Sequence, residues 1–205
     1  MSDLGFIHRY VPGGAETSRV LLLLHGTGGD ESDLLPLGRE LDATAALLSP
    51  RGKILENGMP RFFRRFAEGV FDEEDVARRA NELTDFITAA SGEYGFAAEG
   101  VTAVGYSNGA NIAAAMVLLR PEVLARAILW RAMVPLSAPP AATLSGKRIL
   151  ICAGQHDPIV PAQNVRELAA LLEESGADVT LEVQDASHGL VQEDVTAAKR
   201  FLAAD

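Results

Sequence analysis

Val20-Leu21-Leu22-Leu23-Leu24 is an apolar run with no polar residue inside it. A strand with one face in water alternates, whereas an unbroken run this short needs cover on both faces, as in the middle of a parallel sheet. Ala127–Trp130 and Ile149–Ala153 repeat the pattern, and Val101–Val104, with Thr102 inside it, also reads as a short buried strand. Ala45–Ser49 and Val179–Val183 also read as strands, and Phe6–Val11 as an edge strand ended by Pro12-Gly13-Gly14. Helical patterns lie between or after them at Glu31–Leu41, Glu73–Ser91, Asn108–Leu119, Ala162–Glu174 and Val191–Ala203. Such alternation predicts an α/β fold, a mostly parallel central sheet with helices on both faces. Asp72 can cap the longest helix, with Asp75 adding favourable charge, so the acidic run Asp72–Asp75 reads as a helix start rather than a metal site. Ala132–Lys147 has three prolines and no period, and reads as a loop over or beside a site.

Three side chains stand just past predicted strands, where parallel sheets gather their ligand sites. Ser107 is centred in Gly105-Tyr106-Ser107-Asn108-Gly109, a G-x-S-x-G sequence between strand and helix. A tight turn there strains the serine backbone, requires small residues two positions away, and lifts the hydroxyl above the sheet. Serine needs a base to take its proton, and the base needs a carboxylate to orient it. Asp157 follows the strand at Ile149–Ala153, and His188 follows the one at Val179–Val183. The order Ser, Asp, His is that of an α/β-hydrolase.

Upstream, Leu24 runs into His25-Gly26-Thr27-Gly28-Gly29-Asp30. Glycines let backbone N–H groups turn toward one point, where they can offset charge on a carbonyl oxygen. Thr27 and Asn108 are the candidate oxyanion-hole donors. The same turn can also be a strand-end loop with Asp30 as a helix N-cap. The remaining histidines suit catalysis less well. His156 adjoins Asp157 in sequence, and adjacent loop side chains usually diverge. His25 suits tying down its loop, and His8 reads as a surface residue of the edge strand. None of these residues shows the short ligand spacing of a zinc site, so no metal or cofactor is expected.

The motifs Leu24–Asp30, Gly105–Asn111, Gly154–Pro161 and Ser187-His188-Gly189 resemble those of the phospholipase/carboxylesterase family of α/β-hydrolases. These are small lidless serine esterases that include acyl-protein thioesterases. Arg64–Asp75 resembles a bacterial branch of hydrolases linked to hydroquinone and quinone stress. The resemblance spans Val20 to Leu190 and implies the α/β-hydrolase fold, the triad and ester hydrolysis. Asn108 stands where acyl-protein thioesterases usually carry Gln, and Arg131–Pro135 also departs from them, so the thioesterase substrate does not carry over.

A chain of 205 residues, 48% hydrophobic, suits a single domain over 1–205 with a sizeable core. A net charge of −10 argues against nucleic acid as partner. No apolar window reaches membrane-spanning length, and the N-terminus, Met1 to Arg9, lacks a signal-peptide pattern. The single cysteine, Cys152, cannot make an internal disulfide and reads as a core residue, so the cytoplasm is the expected compartment. Arg61–Phe66 interleaves basic and aromatic residues on the expected rim. Its arginines can be solvated or paired with nearby acids, or can meet an anionic or aromatic ligand.

Phe63, Phe66, Trp130, Met133 and Ile159 are the candidate pocket residues, apolar and near strand ends. Such a lining suits a short- to medium-chain or aryl ester. The expected activity is serine carboxylesterase on a small-molecule ester. The alternatives are a thioesterase or lysophospholipase on the same frame, or a module that binds a quinone-like ligand without turnover. An apolar segment around Met133–Leu136 can cover the site or make a homodimer.

Overall fold

A computed structural model describes residues 4–14, 18–141 and 143–204. The first three residues, on which part of the leader reading falls, lie outside the described residues. Strands β1 (His8–Val11), β2 (Val20–Leu24), β3 (Ala46–Pro50), β8 (Val101–Tyr106), β9 (Leu124–Trp130), β10 (Arg148–Gly154) and β11 (Asp178–Gln184) form one sheet, in the order β1-β3-β2-β8-β9-β10-β11. All neighbours pair parallel except β1 with β3. Every residue of β2 is buried, because both faces of the strand are covered.

Alternation along the strands splits the core in two. Leu22, Leu24 and Leu129 face a cluster built with α2 (Glu73–Tyr94), α3 (Asn108–Leu119) and α4 (Ala162–Glu174). Leu21, Leu23 and Trp130 face a second cluster, under α1 (Leu35–Leu41) and α5 (Gln192–Ala203). The fold is therefore an α/β-hydrolase fold, a mostly parallel sheet with helices on both faces. Among the described residues no helix is long and apolar enough to cross a membrane.

Local chemistry accounts for the main boundaries. The Asp72 side chain accepts the Asp75 amide at 3.1 Å and starts α2. Gly95 ends it in the left-handed region at φ 74°, where glycine carries no Cβ penalty. α1 is shorter than expected. Asp30 accepts the Ser32 amide at 2.7 Å in a local turn, and the helix begins only at Leu35, without a side-chain cap. Asp30 is thus a turn former rather than the helix cap. The stretch between β3 and α2 holds two small hairpins, β4–β5 (Ile54–Glu56, Met59–Arg61) and β6–β7 (Arg65–Ala67, Val70–Phe71). His8 is half-buried rather than a surface residue: its ring bonds the Phe6 carbonyl and the Tyr94 hydroxyl, each at 2.7 Å.

Candidate active site

Ser107 sits between β8 and α3 at φ 53°, ψ −113°, a conformation side chains seldom adopt. The turn closes only because its flanks lack side chains. A Cβ on Gly105 would lie 2.5 Å from the Gly109 carbonyl oxygen, and one on Gly109 would lie 2.0 Å from that of Leu24. The Ser107 amide donates to the Trp130 carbonyl at 2.8 Å, and the Ser107 carbonyl accepts the Asn111 amide at 3.0 Å.

Asp157 and His188 arrive on loops that leave β10 and β11. The His156 amide donates to the Ala186 carbonyl, and the Gln155 amide to that of Gln184, lacing the two loops together. Gly154 allows the approach, since a Cβ there would meet the Ser187 carbonyl oxygen at 2.2 Å. His188 Nε2 lies 2.9 Å from Ser107 Oγ, and Nδ1 lies 2.8 Å from Asp157 Oδ2. The Asp157 carboxylate is buried, and its other oxygen accepts the Ile159 and Val160 amides at 2.8 and 3.1 Å. A carboxylate accepts, so the proton between them sits on Nδ1 and leaves Nε2 free to accept from the serine hydroxyl.

The two candidate oxyanion donors are held from one short segment, the end of β5 and the residue after it. Asn108 opens α3, so its amide is one of the unpaired N–H groups at the positive end of the helix. The Thr27 amide has no acceptor among the described residues, while those of Gly28 and Gly29 donate to Pro60 and Gly26. Residues 60–62 tie both places together. The Pro60 carbonyl accepts the Gly28 amide at 3.0 Å, Arg61 donates to Thr27 Oγ1 at 2.8 Å, and the Phe62 amide donates to Asn108 Oδ1 at 2.7 Å. Burial pulls the buried Arg61 guanidinium below the ordinary arginine range. Arg65 is paired with Glu56, and Arg64 with Asp72.

The other histidines are occupied. His25 is buried, with Nδ1 on the Gly26 carbonyl at 2.7 Å and Nε2 accepting the Gly52 amide at 3.0 Å. Burial lowers its pKa from the usual histidine value. His156 turns outward to Asp185 at 3.0 Å. Burial pushes the Cys152 thiol up to about 12, so it is an inert core group.

The five apolar pocket candidates separate. Met133 is nearly buried and Ile159 half-buried, both in the cluster shared with α2 and α3. Phe63 is fully buried against Phe71. Trp130 is also fully buried, but strand alternation turns it to the opposite face of the sheet, under α5. Phe66 is 76% exposed on the second hairpin. A groove of about 370 Å³, not foreseen from sequence, opens beside the Gly26–Gly29 turn, with Thr27, Asp33, Leu34, Tyr106 and Leu190 in its wall.

Comparison with known proteins places this geometry. The phospholipase/carboxylesterase family matches residues 8–205. The chain belongs to that family. MhqD of Bacillus subtilis (strain 168), a hydrolase by name, is 46% identical over 194 residues, 95% of this chain and 96% of its own. The crystal structure of the Bacillus cereus carboxylesterase is 45% identical with a TM-score of 0.94, covering 98% of this chain and 95% of that one. The carboxylesterase from Mesorhizobium loti is 33% identical with a TM-score of 0.94, covering 100% and 98%. This member of the phospholipase/carboxylesterase family is a carboxylic ester hydrolase.

The residues that sequence reasoning missed are the 60–62 segment, the groove residues and Arg131. Arg131 has φ 58° and a fully buried side chain. Its sequence neighbours are apolar and gave no sign of either property.

Proposed function

We propose that the chain is a serine carboxylesterase in which Ser107 is the nucleophile, His188 the general base and then acid, and Asp157 the group that orients the imidazole. The supporting observation is the unbroken chain of contacts at 2.9 and 2.8 Å from hydroxyl to imidazole to buried carboxylate. His188 takes the Ser107 proton as Oγ attacks the ester carbonyl. The Thr27 and Asn108 amides hold the oxyanion. His188 protonates the departing alcohol, and water then releases the acyl group by the same route.

Met133 and Ile159 are proposed to meet one part of the substrate, and the groove beside Thr27, with Tyr106, Leu34 and Leu190, the other. Spaces of this size suit short- to medium-chain or aryl esters. The same acyl-enzyme can serve a thioester, and comparing p-nitrophenyl esters of increasing chain length with one acyl thioester sets the preference. A single domain carries the reaction on this reading, and a cysteine that cannot form an internal disulfide fits work in a reducing cytoplasm.

Ser107→Ala should lower hydrolysis of p-nitrophenyl acetate by about 10⁴-fold or more while leaving the thermal melt intact. Turnover in that variant close to the wild-type rate would defeat the proposal, as would a wild-type protein that binds esters but never releases acid.

A further inference from the structure

Arg131 and Asp194 form an ion pair with both side chains fully buried. The guanidinium donates to Asp194 Oδ1 at 3.0 Å and Oδ2 at 2.7 Å. It also donates to the carbonyls of Cys152 at 3.2 Å, Ser187 at 3.1 Å and Gly189 at 2.8 Å. All five of its N–H groups are therefore used. Two of the acceptors, Ser187 and Gly189, are the residues on either side of His188. The Arg131 amide is itself fixed on the Cys152 carbonyl at 2.9 Å. The preceding residue, Trp130, gives its carbonyl to the Ser107 amide at 2.8 Å. One dipeptide at the end of β9 thus grips the serine turn by its backbone and the histidine loop by its side chain. Asp194 also accepts the Val191 amide at 2.9 Å, which ties the start of α5 to the same point.

A buried ion pair is a poor means of gaining stability, since well-packed apolar residues often replace one without loss. A non-glycine residue at φ 58° adds strain. Position, by contrast, is what this arrangement supplies: a planar fork with fixed directions, aimed at the two carbonyls on either side of His188.

We propose that Arg131, oriented by Asp194, is the positioning residue that sets the distance from His188 to Ser107. The proposal rests on the reading of His188 as the base. Breaking one half of the pair risks unfolding, so the test uses Arg131→Met/Asp194→Leu, which removes both charges, beside Arg131→Lys, which keeps the charge and loses the fork. Each variant is followed by thermal melt, p-nitrophenyl acetate kinetics and the downfield proton resonance of the His188–Asp157 hydrogen bond. The double variant should melt cooperatively, lose about 100-fold in kcat with KM changed by no more than about twofold, and lose or broaden that resonance. Arg131→Lys should move kcat and the resonance in the same direction, and it carries the test alone should the double variant not fold. A folded variant of either kind with wild-type kcat and an unaltered resonance overturns the proposal. Failure of the wild-type protein to react with a fluorophosphonate would instead defeat the serine reading, and the resonance would still report whether Arg131 positions His188.

Discussion

Holding Ser107 at φ 53° costs on the order of 1–3 kcal/mol, which the surrounding contacts must offset. The offset comes from two backbone hydrogen bonds and from glycines that let β2 and α3 close around the turn. Trp130 contributes to the same turn through its carbonyl alone, while its ring is sealed in the core on the other face. Trp130→Phe is therefore expected to cost about 1–2 kcal/mol of stability and to leave KM for p-nitrophenyl esters unchanged. Urea melts beside ester kinetics check this, and a KM that moves with acyl-chain length would place the ring in the pocket after all. His25 gives a pH effect with a definite sign. Its folded pKa is depressed, so its contribution to stability is fully present above the usual value of about 6.5 and is lost as pH falls through the lower folded value. Between about pH 7.5 and pH 5.5 the wild type should lose more unfolding free energy than His25→Gln. Equal losses would mean that the ring carries no burial penalty on protonation.

At the scale of elements, the segment 60–62 at the end of β5 matters more than its length suggests. It reaches Gly28 and Thr27 on one side and Asn108 on the other. Asn108→Leu removes the acceptor of the buried Phe62 amide and should cost about 1–3 kcal/mol while lowering kcat more than it raises KM. Thermal melts and steady-state kinetics test it, and a kcat equal to wild type would show that the strut does not act on the candidate oxyanion donors. The central strands were legible in the sequence because burial on both faces leaves runs such as Val20–Leu24 without polar residues. Ser107 and Asp157 were legible because each lies a few residues past a buried strand run, and His188 because it follows the alternating strand at Val179–Val183. The hairpins at 54–71 were not, since strands of two or three residues with mixed polarity have no period to read. Arg131 was hidden for a different reason: its role depends on carbonyls that come from β10 and from the loop after β11, far away in sequence. For Phe66 and Trp130, position along the chain does not give the side chain's direction, because direction across a sheet or hairpin is fixed only by packing.

Across the whole molecule, the parallel sheet brings three loops to one edge, and the two faces of the core divide the labour. The α2–α3–α4 side buries Phe62 and Phe63 and packs Met133 and Ile159, whereas the α1–α5 side holds Trp130 and Asp194 and carries the groove at Thr27. A fluorophosphonate tests the convergence of these parts most directly, because it reacts only with a serine whose proton is taken up nearby and whose developing charge is held. Peptide mass spectrometry after brief treatment should find one adduct, on Ser107, absent from Ser107→Ala and strongly slowed in His188→Ala. An adduct elsewhere, or none on a folded wild-type protein, would contradict the central claim that these distant side chains form one working site.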